Sequence, residues 1–76
     1  NALALRRAGI PVNNASLYGA HFLGAGTAVK ILSAPDTARA DLMAGEGPTA
    51  ANPSILRNKT VGQFKAWLRQ KCGVAV

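Results

Sequence analysis

Apolar residues along this chain recur at three- and four-residue steps, and glycines and prolines cut them into short runs. That is the period of amphipathic helices. Residues 2–8 read as the tail of a first helix. Leu3 and Leu5 are apolar, Arg6 and Arg7 suit the negative C-terminal end, and Gly9 fits the position just past it. Ile10 can fold back on the last turn, and Pro11 bars continuation. The connector "PVNNAS" offers Asn14 and Ser16 as N-caps for a second helix running to about Leu23. Leu17, Ala20 and Leu23 then share one face, with Tyr18 and Phe22 beside them at i, i+4. Gly24 closes this helix, "GAG" turns the chain, and residues 27–32 form a third helix with Lys30 facing water.

A fourth short helix is expected in "SAPDTARADLMAG", capped by Asp36, carrying residues 38–43 and ended by Gly45. "GEGPTAANPSILRN" is rich in Gly, Pro and Asn and reads as a loop, pinned to the core by Ile55 and Leu56. The last helix has the strongest local signals. Thr60 and Gln63 match a capping box, and Val61, Phe64, Leu68 and Cys72 make one apolar stripe with Trp67 alongside. Gly73 caps its end. The expectation is an all-α chain of four to five short helices, without sheet, occupying residues 1–76 as one unit.

Composition sharpens this picture. Seventy-six residues, nearly half of them apolar but only four aromatic, imply a light, alanine-rich core. The first residue, Asn1, lies directly against a helix-like run, so the chain reads as a fragment of a longer protein. Nine Lys and Arg against three acids give a net charge of +6, which favours an anionic partner. The basic residues are scattered and become dense only toward the C-terminus. No apolar run approaches the roughly 18 residues that span a bilayer.

Few residues could carry chemistry. Asp36 and Asp41 lie five apart, about 140° around a helix, and so do not share a face. Asp36 reads as a cap, Asp41 as solvated surface, and Glu46 as part of a wet "GEG" loop where a raised pKa is hard to achieve. Cys72, the single cysteine, sits in a last helical turn where the dipole disfavours a thiolate. One His and one Cys do not make a metal site, and no cofactor is expected. "GAHFLGAGTA" lacks the Gly-Lys-Ser/Thr of a phosphate loop. His21 fits either a structural hydrogen bond or a ligand contact, since Tyr18, His21 and Phe22 crowd a helix end whose Gly24 and Gly26 permit close approach. Phe64 and Trp67 fit the core.

The stretch "LYGAHFLGAGTAVKIL" resembles the second signature of the soluble lytic transglycosylases, usually A-Y-N-A-G-x-G followed by a short helix. A branch of bacterial and bacteriophage members reads A-H-F-L-G-x-G here and carries an "AANPSI"-like loop and a "TVGQFKAWL"-like final helix. Ala20, Gly24 and Gly26 match outright; His21 stands at the motif tyrosine and Phe22 at its asparagine. The resemblance implies the C-terminal half of a lysozyme-like domain that cuts peptidoglycan between N-acetylmuramic acid and N-acetylglucosamine, leaving a 1,6-anhydro end. It places Tyr18, His21, Phe22 and Gly24 against the glycan. The family's catalytic glutamate belongs to an upstream E-S motif followed by G-L-M-Q; neither occurs here, and Glu46 lacks both neighbour patterns. No catalytic residue is therefore expected within this chain. The implied partners are glycan strands, the remainder of the parent chain and other virion proteins, in a phage particle or the bacterial periplasm and envelope. Two other classes compete: a non-enzymatic structural module of a virion or envelope assembly, and a basic nucleic-acid-binding module using Lys65, Arg69 and Lys71.

Overall fold

The computed structural model describes residues 2–76, all helical in architecture. The helices are α1 (Ala2–Arg7), α2 (Asn14–Leu23), α3 (Ala25–Leu32), α4 (Ala40–Ala44), α5 (Glu46–Ala51), α6 (Pro53–Leu56) and α7 (Val61–Cys72). No sheet forms among the described residues; one isolated bridge pairs Arg39 with Thr60. The core is light, as the composition requires. Leu5, Ile31, Leu56, Val61, Phe64 and Leu68 are fully buried, and alanines 15, 28 and 40 fill the spaces between them.

The ends of α1 and α7 follow local signals. Past α1, the Gly9 N–H donates to Arg6 O (3.1 Å) and the Ile10 N–H to Leu5 O (2.9 Å). This Schellman pair uses the positive φ of Gly9 to fold Ile10 onto Leu5. At α7 the Thr60 N–H donates to Gln63 Oε1 (2.8 Å), and the Gln63 N–H donates to Thr60 Oγ1 (3.1 Å). Gly73, with φ of 78°, ends the helix in the left-handed region.

Helix α2 starts earlier than its sequence suggests. The cap is Asn13, not Asn14 or Ser16: its side chain accepts from the Ser16 N–H (3.0 Å), and Ser16 Oγ accepts from the Asn13 N–H (3.0 Å). Ser16 also donates to Pro11 O at 2.6 Å, which fixes it in the first turn rather than at the cap. The buried face is therefore Ala15, Ser16, Gly19, Ala20 and Leu23, while Leu17 turns outward with 39% of its surface exposed. Gly19 makes the packing close. A Cβ there would stand 3.4 Å from Leu68 Cδ1 of α7 and 3.8 Å from Leu32 Cδ1 of α3.

The middle of the chain departs most from expectation. Asp36 caps nothing, and α4 begins only at Ala40. The preceding backbone bonds across the chain instead of helically. Gly62 N–H donates to Asp36 O (2.9 Å), Val61 N–H to Ala38 O (2.7 Å), and Ala40 N–H to Lys59 O (2.9 Å). The segment read as a loop holds two further helices, so seven form among the described residues against an expectation of four to five. Their prolines sit where a helix tolerates them: Pro48 in the first turn of α5, and Pro53 as the first residue of α6. Leu56 pins this segment to the core, with Ile55 half-buried beside it.

Candidate functional site

Packing of α2 against α7 brings all four aromatic side chains into one cluster. Tyr18 and Phe22 stack one helical turn apart with centroids 6.4 Å apart. Trp67 lies 5.9 Å from Tyr18 and 5.5 Å from Phe22, and Phe64 lies 5.9 Å from Trp67 and 6.3 Å from Phe22. Only Phe64 is fully buried; Tyr18, Phe22 and Trp67 are half-buried and rim the core. Trp67 is therefore not the interior residue its stripe suggested. Helical spacing shows which residues share a face, but not that these two faces meet.

The other expected site residues occupy this end of α2 differently. His21 is exposed, and its side chain makes no hydrogen bond to any described residue. A structural hydrogen bond is thus not its role here. Gly24 is the single residue between α2 and α3, with φ of 85° and ψ of 151°. An L side chain rarely adopts that backbone, so the turn itself demands glycine. Gly26 is helical, with nothing within 4 Å of an added Cβ. The fold does not demand glycine there.

None of the three carboxylates suits proton donation. Asp36 pairs with Lys65 (3.1 Å) and Glu46 with Arg57 (3.0 Å), and both acids are about 70% exposed, at 71% and 69%. Asp41 is the surprise: it was expected at the surface and is buried. Arg39 Nε donates to its Oδ1 (2.9 Å) and Arg39 Nη2 to its Oδ2 (2.6 Å). The backbone N–H groups of Leu42 (3.0 Å) and Asn58 (2.9 Å) complete the shell. Asn58 holds a left-handed backbone, φ of 59°, which an asparagine accepts readily. The Arg39 guanidinium, then the Asn58 N–H, hold the Asp41 carboxyl at about 2, down from 3.8. Arg39 is correspondingly shifted upward by its bond to Asp41. A general acid needs the opposite shift. Asp41 is a structural knot joining α4 to the turn before α7. An Arg two residues before an Asp signals this only if the Arg is known to be extended, which is a tertiary fact.

Every acid is thus matched to a base, and the surplus charge rests on Arg6, Arg7, Lys30, Lys59, Arg69 and Lys71. Among the described residues, no three His, Cys, Asp or Glu side chains gather as a metal site, and no helix is long and apolar enough to cross a membrane. Of the open hollows that border α7, two flank a common ridge. One of about 660 Å³ is lined by Asp36, Lys65, Arg69 and Val76 among others. The other, about 280 Å³, lies between α6 and α7 and includes Ile55, Gln63, Trp67 and Gln70. Ala66 and Gln70 form the ridge they share. Neither groove is lined by Tyr18, His21, Phe22 or Gly24; Trp67 is the link between the aromatic cluster and the smaller one. No family model matches the chain, and neither a curated protein nor a solved structure does.

Proposed function

We propose that this chain is the glycan-facing second half of a lysozyme-like peptidoglycan lytic transglycosylase domain, serving in a phage particle or the bacterial envelope. The support from sequence is the A-H-F-L-G-x-G run, Ala20 to Gly26, followed by the "AANPSI" and "TVGQFKAWL" stretches. The observation that carries the reading is the half-buried aromatic wall of Tyr18, Phe22 and Trp67 beside the solvent-facing His21. Aromatic faces of this kind offer large, rigid contact area at low cost in side-chain entropy.

On this reading the acid comes from a segment ahead of the chain, and protonates the glycosidic oxygen. As the bond from the anomeric carbon to that oxygen breaks, the muramyl C6 hydroxyl closes on the anomeric carbon and gives its proton back to the same carboxylate. This removes the need for the second carboxylate of ordinary glycosidases. This chain positions the strand: Tyr18 and Phe22 hold the sugar faces, His21 reaches polar groups of the glycan or the acid, and Gly24 keeps the turn free of side chain.

The test is co-sedimentation of the 76-residue chain with purified peptidoglycan sacculi, together with turbidity of the suspension. The expected result is retention that survives 1 M salt, falls on Tyr18→Ala, and brings no clearing. Loss of retention at high salt would reduce the interaction to the net charge of +6 and refute the reading. Clearing by the chain alone would refute the external acid and make Glu46→Gln the next variant.

A further inference from the structure

Trp67 is fixed on one side by ring contacts to Tyr18, Phe22 and Phe64 at 5.5–5.9 Å, and it also lines the α6–α7 groove and an adjoining hollow shared with Gln70 and Lys71. Ser54, Ile55, Lys59, Gln63 and Gln70 surround it there. The polar members are available. Gln63 spends its Oε1 on the Thr60 N–H, so the cap fixes the amide and leaves its NH2 end as a positioned donor. The side chains of Ser54, Lys59 and Gln70 make no hydrogen bond to any described residue. The lining contains one cation and no carboxylate.

We infer that this groove is a pyranose-binding site, with Trp67 as the stacking platform and Gln63 and Gln70 as the hydroxyl- and acetamido-reading groups. A sugar ring presents an apolar C–H face and a rim of donors and acceptors. The groove presents an immobilised indole bordered by two amides and a hydroxyl. Because the indole is already held by three neighbours, stacking costs little further ordering. At about 280 Å³ the groove is smaller than the roughly 300–1,000 Å³ of sites enclosing a drug-sized molecule, so it takes one ring of a chain rather than a whole oligosaccharide. A nucleobase would also stack on tryptophan, but strand-tracking sites line their grooves with cations, and this one has Lys59 alone. The inference rests on the peptidoglycan reading above and extends it from α2 to a second contact surface.

Trp67 is the single tryptophan, so intrinsic emission reports on its surroundings, the groove on one side and the rings of Tyr18 and Phe22 on the other. Gln70, which lines the groove and not that wall, tells the two apart, and an emission change whose affinity is the same in Gln70→Ala overturns the groove. The experiment is titration of the 76-residue chain with the β-1,4 tetramer of N-acetylglucosamine, beside a sacculus co-sedimentation. The expected result is a saturable emission change, with affinity about three- to tenfold weaker in Gln70→Ala, the worth of one or two hydrogen bonds. Gln70 is exposed, so that variant keeps the fold, as far-UV circular dichroism would register. A silent tryptophan with sacculi still retained overturns the groove and leaves the peptidoglycan reading standing. A silent tryptophan with no retention overturns both. An emission change with oligothymidylate and none with the sugar also overturns the inference, in favour of single-stranded nucleic acid.

Discussion

Phe64 and Trp67 sit one turn apart on α7 and belong to one cluster, yet truncating them should cost different amounts. Phe64 is fully buried beneath the stacked rings, and Phe64→Ala would leave a cavity; such changes cost about 3–5 kcal/mol. Trp67 is half-buried, so its loss uncovers surface and opens no cavity. A packed aromatic buries roughly 150–250 Å², so half burial removes about 100 Å² from water, worth ~2.5 kcal/mol at about 25 cal/mol per Å². A chain of 76 residues holds about 4–11 kcal/mol in total, at roughly 0.05–0.15 kcal/mol per residue. Trp67→Ala should therefore remain folded, with Tm lowered by about 10–20 °C, whereas Phe64→Ala should lie near its unfolding threshold. Urea titration followed by circular dichroism at 222 nm measures both without the lost fluorophore. A Trp67→Ala cost equal to that of Phe64→Ala would make the indole a core residue and refute the rim assignment. A cost below about 1 kcal/mol would refute the ring contacts themselves.

Asp41 sets the response to acid. Its folded pKa is depressed to about 2 from 3.8, so its contribution is complete above about pH 4 and fades as pH falls toward 2. Thermal melts from pH 5 to pH 2 should show Asp41→Asn less stable than the parent at pH 5 and less sensitive to acid below pH 4. Gly26 and Gly62 both occupy the second position of a helix, and their alanine variants should move in opposite directions. Gly26→Ala meets open space and should gain up to about 1 kcal/mol. Gly62→Ala would bring a Cβ within 3.3 Å of Asp36 O and should lose about 1–3 kcal/mol, both read from urea midpoints. Thr60→Ala removes the α7 cap and should cost about 1 kcal/mol in the same assay. His21→Ala should stay within about 0.5 kcal/mol of the parent while reducing retention on sacculi.

What was legible in the chain is what short-range physics decides. The end of α1 and both ends of α7 are specified within six residues, by Gly9, the Thr60–Gln63 pair and Gly73, and each lies where the pattern put it. The start of α2 shows the limit of that reasoning. Asn13, Asn14 and Ser16 are all good caps, and the choice was made by Ser16 donating to Pro11 O, a contact outside the helix. Between residues 36 and 59 the deciding forces are nonlocal. The backbone from Asp36 to Ala40 is bonded to Lys59, Val61 and Gly62, so a helix begun at Asp36 would forfeit those three bonds. The same prolines that signal a loop also open helices, and only packing of Leu56 and Thr49 distinguishes the two meanings. Asp41 escapes the local pattern for the same reason: its partners, an extended Arg39 and the left-handed Asn58, exist as partners only in three dimensions.

The A-H-F-L-G-x-G run can now be separated into what folding requires and what it leaves unexplained. Ala20 is buried, and Gly24 must hold a backbone that side chains disfavour; stability alone accounts for both. Phe22 contributes to the core through Phe64 and Trp67 while keeping part of its ring at the surface. His21 and Gly26 contribute nothing comparable: one is exposed with no side-chain partner among the described residues, the other has room for a methyl group. Residues that break local preference without a structural gain concentrate at functional sites. Gly26 is such a case, since alanine would serve its helix better. If Gly26→Ala stabilises the chain as expected yet lowers retention on sacculi, the missing methyl group is room for a ligand. If it stabilises the chain and leaves retention unchanged, the motif marks only the path of the backbone, and the binding surface is to be sought at Trp67.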